Sequence, residues 1–141
     1  MRTIKFRAKI KSVPDKKILG PQAEGEWAYG EIHLCAMTPH IHVGLEYTYP
    51  IDTDTVGQFT GLLDKNGKLI YEGEILSVGY LADSTNKIEV RFVRGVFAFL
   101  WNGNLDDECP TGAPTHEWAE VIGNIHDNPE LMRGGEQDAT D

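Results

Sequence analysis

At 141 residues, 40% apolar and 25% charged, the chain has the size of one domain, or of one domain with an elaborated arm. Its longest apolar run, Val96 to Trp101, is six residues where a membrane-spanning helix needs about 20, so no span is expected. The net charge of −9 is uneven: residues 1–17 carry seven basic side chains and one acidic, whereas residues 106–141 carry one and ten.

The opening segment is the clearest strand. Ile4, Phe6, Ala8 and Ile10 alternate with Thr3, Lys5, Arg7, Lys9 and Lys11, which predicts one buried face and one basic face. Ser12-Val13-Pro14-Asp15 ends it. Residues 18–30, broken by Gly20-Pro21, Gly25 and Gly30, read as a loop anchored by Trp27 and Tyr29. Ile32, Leu34 and Ala36 alternate with His33, Cys35 and Met37 in a second strand, and Thr38-Pro39 is expected to turn the chain. Residues 41–49 form a third extended segment that stops before Pro50.

Thr55 to Leu63 reads as extended, and Asp64-Lys65-Asn66-Gly67 supplies turn chemistry, with Gly67 suited to positive φ. Lys68 to Tyr71 returns, Glu72-Gly73 bends the chain into Glu74 to Tyr80, and residues 81–86 are a polar loop. Residues 87–93 alternate as a strand, Arg94-Gly95 turns, and Val96 to Trp101 is the most apolar strand. After an acidic loop reaching Pro114, His116 to Ile125 is predicted as the last strand. Asn128-Pro129-Glu130 announces a short helix through Met132, and residues 134–141 are expected to be a disordered tail.

Short, closely spaced strands without a long amphipathic helix predict a mostly β protein. Residues 54–133 are assigned to a small SH3-like barrel or roll ending in a short C-terminal helix, and residues 1–53 to a β arm or subdomain packed on it. Phe59, Ile75, Ile88, Val90, Phe92, Phe97 and Val121 are expected in the barrel core. Two cysteines, Cys35 and Cys109, are too few for a disulfide framework, and the charged N-terminus lacks the apolar stretch of a signal peptide. A cytoplasmic location is the expectation.

The stretch from Thr55 to Ile75, TVGQFTGLLDKNGKLIYEGEI, strongly resembles the hallmark of the YopX family of bacteriophage and prophage proteins. The closing Glu120 to Leu131, EVIGNIHDNPEL, the opening Met1 to Ala8 and the motif Trp27-Ala28-Tyr29-Gly30 resemble the same family in order. Glu74 stands where the family usually has Asp. The resemblance implies an SH3-like barrel for the C-terminal part and a phage or mobile-element origin. It implies no activity.

Candidate chemistry is sparse. His40 and His42 share one face of an extended segment, with His33 or Cys35 able to approach, yet zinc needs three or four converging ligands and no recognised spacing is present. Asp52, Asp54 and Asp106-Asp107-Glu108 are carboxylates of the kind that hold hard cations. Asp64 to Gly67 begins like a calcium loop, but its glycine comes too early and Ile75 occupies the closing position, so a hairpin turn is expected. Asp83 with Glu89-Val90-Arg91 has part of a nuclease pattern and lacks its lysine. No nucleophile elbow or phosphate loop occurs, and no catalytic residue, metal ligand or cofactor is assigned.

The basic face of Lys5, Arg7, Lys9 and Lys11 is the sharpest feature. These side chains are expected to meet carboxylates of the same chain or of a second copy, or to be solvated as on many edge strands. The alternative is a nucleic-acid contact, disfavoured by the acidic remainder and by the lack of an aromatic residue on that strand face for base stacking. The expected function is a non-catalytic module that binds another protein or itself. A nucleic-acid-binding module is second and a metal-dependent enzyme third.

Overall fold

The computed structural model describes residues 3–14, 16, 18–35, 37–78, 87–106, 108 and 114–133. The expected polar loop at 81–86, Cys109, the side chain of Cys35 and the tail at 134–141 lie outside them. The chain forms two units, Met1–Phe59 and Thr60–Asp141, and is mostly β with antiparallel pairing throughout.

The first unit contains β1 (Phe6–Ile10), β2 (Trp27–Cys35), β3 (Thr38–Val43) and the larger part of β4 (Tyr47–Leu63). β1 pairs with β2, β2 with β3 and β3 with β4, and β4 returns to β1, so the pairings close a circuit. Ala8, Ile10, Ala28, Ile41, Tyr49 and Ile51 are buried inside it. Ala8 and Ile10 take the buried face of β1 as expected, but Arg7 on the opposite face is buried too, and Ile4 lies before the strand, exposed.

Three expectations change here. Trp27 to Gly30 is strand, because Ala28 packs in the core and Phe6 to Lys9 pair with this segment. Gly30 is required by a close approach: a Cβ there would lie 1.8 Å from the carbonyl oxygen of His42. Thr38-Pro39 belongs to β3, paired with Leu34 and Cys35.

β4 also runs unbroken through Pro50, whose carbonyl accepts a hydrogen bond from the Lys11 amide just beyond the end of β1. The proline therefore sits where no β1 residue needs its missing N–H. Between Asp52 and Gly57 the register with β1 slips. Thr55 staples this bulge, its hydroxyl accepting from the Lys9 amide at 2.8 Å and donating to the Asp52 carbonyl at 2.6 Å.

The second unit takes up the end of β4, then β5 (Leu69–Tyr71), β6 (Glu74–Val78), β7 (Ile88–Val93), β8 (Val96–Trp101), α1 (Thr115–Trp118), β9 (Ala119–Asn124) and a 3-10 turn, Pro129–Arg133. Its sheet order is β8-β7-β6-β9, and β5 pairs with β4. Arg94 and Gly95 both have positive φ, the requirement of a two-residue hairpin turn of the primed type. Gly67 has φ +82°, as its turn demands. The core comprises Ile70, Leu76, Val78, Ile88, Val90, Phe99, Trp118 and Ala119, with Val121 packed against it.

Phe92 was expected in that core and is 45% exposed. It shares a face with Ile88 and Val90, but it pairs with Phe97 beside the hairpin turn, where the two rings meet edge to face at 5.1 Å. The last strand also starts later than expected. Residues 115–118 form one helical turn, with the Thr115 hydroxyl donating to the Leu63 carbonyl and Trp118 turned into the core.

Candidate recognition face

The outer face of the first unit is built by β1 and β2. Because side chains alternate along a strand, burial of Ala8, Ile10 and Ala28 sends Arg7, Lys9, Trp27 and Tyr29 to the opposite side. The register sets Arg7 opposite Tyr29 and Lys9 opposite Trp27. The Arg7 guanidinium lies 4.4 Å from the Trp27 ring centroid, the Lys9 amine 5.6 Å from the same ring, and the Lys5 amine 5.9 Å from the Tyr29 ring. These cations sit over the negative faces of the π systems, an attraction of about 0.5–1 kcal/mol where exposed and about 2 where desolvated.

Aromatic residues therefore do share the basic face, contrary to the sequence-based expectation; they come from β2, whose pairing with β1 is long-range. The four basic residues are not equivalent. Arg7 is 4% exposed, Lys5 and Lys9 are half-buried, and Lys11 lies past the strand end and is exposed. Tyr29 is 40% exposed beside them.

β2 and β3 continue this face with histidines. His33 is the register partner of His40, and its ring centroid lies 3.7 Å from that of His42. His40 is buried, with Nδ1 2.8 Å from the Thr38 carbonyl oxygen. Burial first, then the neighbouring His33 and His40, hold the His42 imidazole below its ordinary 6.5, with Glu31 opposing them. Among the described residues no group of three or more His, Cys, Asp or Glu side chains is placed to hold a metal ion.

The hallmark and closing motifs are brought together in the second unit, where they hold backbone. Asp64 is 2% exposed; its Oδ1 accepts from the amides of Asn66 and Lys68 at 2.8 Å each and its Oδ2 from the Val121 amide at 3.0 Å. Burial alone would raise its pKa, but the three backbone donors and the Lys68 charge outweigh that and hold the carboxylate below its ordinary value. Lys65 donates its backbone N–H to the Ala119 carbonyl and forms an ion pair with Glu120 at 3.6 Å. Gly73, at φ +91°, donates to the Val90 carbonyl and accepts from the Ile125 amide. The Asn124 side chain accepts from the His126 and Asp127 amides, and that of Asn128 accepts from the Asn124 amide.

Some of the remaining acidic candidates have structural duties as well, and Asp107 lies outside the described residues. Asp52 accepts from the Asp54 amide, and Glu108 pairs with Arg94. Glu89 is buried and grips Arg91 through two bonds of 2.7 and 2.9 Å, which raises the arginine pKa further. Asp83 lies outside the described residues. Among the described residues no helix is long and apolar enough to cross a membrane.

A sequence profile of the YopX protein matches residues 5–133. No curated protein matches the chain. Solved structures similar to it include the following two. Protein EF1440 from Enterococcus faecalis is 24% identical, with 94% of this chain and 99% of that one covered and a TM-score of 0.49. Protein yopX from Bacillus subtilis is 21% identical, with 94% and 97% covered and a TM-score of 0.45. Matched over all but its first few and last few residues, the chain belongs to the YopX family.

Proposed function

We propose that this chain is a non-catalytic accessory module of phage or prophage type, acting in the bacterial cytoplasm, that binds another protein or a second copy of itself. The recognition surface is the outer face of β1 and β2. The second unit is a scaffold of SH3-like roll type, a reading supported by the helical turn placed immediately before its last strand.

One observation carries the proposal: cations from β1 lie against Trp27 and Tyr29 on a face that stays partly open. Trp, Tyr and Arg dominate the energetics of protein interfaces. Stacking holds the lysine stems in place before any partner arrives, which lowers the ordering cost of binding. The closed circuit of pairings leaves β1 and β2 no open edge for strand addition, so recognition there runs through side chains.

The test is amine-reactive cross-linking in cells producing the full chain, with the linked peptides mapped by mass spectrometry. Cross-links to protein should concentrate on Lys5 and Lys9 and fall several-fold in Tyr29→Ala. Links spread evenly over Lys5, Lys9 and the exposed Lys65 and Lys68 would refute the surface.

A second reading is nucleic-acid binding. It gains from the same finding, since bases could stack on Trp27 or Tyr29 while lysines meet phosphates. Burial of Arg7 removes one of its four cations, and the chain's net charge of −9 repels polyanions. Fluorescence anisotropy with labelled single-stranded DNA and RNA at physiological salt should show no binding. Micromolar affinity that weakens steeply with salt would reverse the order of the two readings.

A further inference from the structure

We propose that His33, His40 and His42 form a proton-sensitive lock on the β2–β3 pair, closed while the rings are neutral and loosened when they take up protons. The geometry is a cluster of three imidazoles on one face of two adjacent strands. His33 and His40 are register partners, and the His33 and His42 rings lie 3.7 Å apart at an interplanar angle of 49°. Neutral rings tolerate such contact, whereas two imidazolium ions at this distance repel. The His42 Nε2 atom is buried and has no hydrogen-bond partner among the described residues, so a proton added there would meet no acceptor. His40 donates Nδ1–H to the Thr38 carbonyl, which fixes the orientation of its ring beside the other two.

The surroundings offer little compensation. On β2 the acid facing the cluster is Glu31, the register partner of His42. On β4 the residues opposite His42 and His40 are Thr48 and Pro50, neither of which titrates. Just before β1, Lys5 sits over Tyr29, next to Glu31 on the same strand face, and adds positive charge.

The direction of the pH dependence follows from these contacts. In the unfolded chain His42 protonates near 6.5, while the folded unit resists protonation to lower pH. The stability contributed by keeping His42 neutral is therefore full above about 6.5 and is lost as pH falls below that value through the folded pKa. The buried carboxylate of the second unit, Asp64, is depressed from an ordinary 3.8 and surrenders stability only in far stronger acid. Mild acid should loosen the first unit alone.

Nuclear magnetic resonance on the full chain tests this with two readouts, imidazole titration and amide hydrogen exchange corrected for intrinsic rates. His42 should titrate below 6.5, and His33→Gln should shift its midpoint upward. Between pH 7.5 and 5.5 the amides of Ile32 and Ile41 should lose protection while those of Leu76 and Val90 keep theirs, and His42→Gln should abolish the difference. A His42 midpoint at or above 6.5, or parallel loss of protection in both units, would overturn the lock. If His42→Gln does not fold, the midpoint shift in His33→Gln decides.

Discussion

The basic strand of the first unit and the hallmark hairpin of the second are both dense in charge, and they use it in opposite ways. Around Asp64 the charge faces inward: one buried carboxylate gathers three backbone amides from two segments. Along β1 the charge lies on aromatic rings on the side away from the core, with Arg7 buried and Lys9 half-buried. A carboxylate whose acceptor sites are taken by main chain has little capacity left for chemistry, however prominent its motif. Cations stacked on half-open rings still present a polar end and an apolar plane to something else.

The contrast can be broken most severely at Gly30. Gly30→Ala places a Cβ against the His42 carbonyl, and separation of β2 from β3 should cost about 3 kcal/mol in urea unfolding. Asp64→Ala is expected to cost about 2 kcal/mol, because the Val121 amide loses its partner while water replaces the acceptor for the exposed Asn66 and Lys68. For Asp64→Asn the deficit relative to wild type should be full above pH 3.8 and shrink as pH falls through the depressed folded pKa. A deficit unchanged at low pH would show that the charge is immaterial.

Gly67→Val should cost about 1 kcal/mol or more, since a β-branched residue is strained at φ +82°; an unchanged melting temperature would contradict that turn geometry. Lys5→Gln should cost no more than about 1 kcal/mol, the scale of one exposed cation–ring contact, and should leave amide protection in the second unit unchanged.

Local chemistry was readable in the sequence; pairing across distance was not. The Asp64 to Gly67 turn and the Arg94-Gly95 hairpin depend on neighbours a few residues apart, and both stand; the alternation of β1 places its two faces, but not the burial of Arg7. The place of Trp27 and Tyr29 depends on β2 meeting β1 across the segment that separates them, which no local pattern encodes. Pro50 looked like a terminator because proline removes a donor, but whether that donor is needed is settled by which strand lies alongside. Phe92 alternates with its neighbours as a core residue does, and only its distance from the hairpin turn puts it in the open. For the candidate surface, the cations were legible and the rings beneath them were not.

The pairing of β1 with β4 also bears on how the protein emerges from the ribosome. Phe6 meets Gln58, so the first strand must wait for a partner made roughly fifty residues later, several seconds at about 5–20 residues per second. During that interval β1 has β2 on one side and an open row of amides and carbonyls on the other. The lysines and arginine that later rest on Trp27 and Tyr29 keep that waiting strand soluble through its own charge. In the nascent chain they guard against misassembly before they have any surface to form.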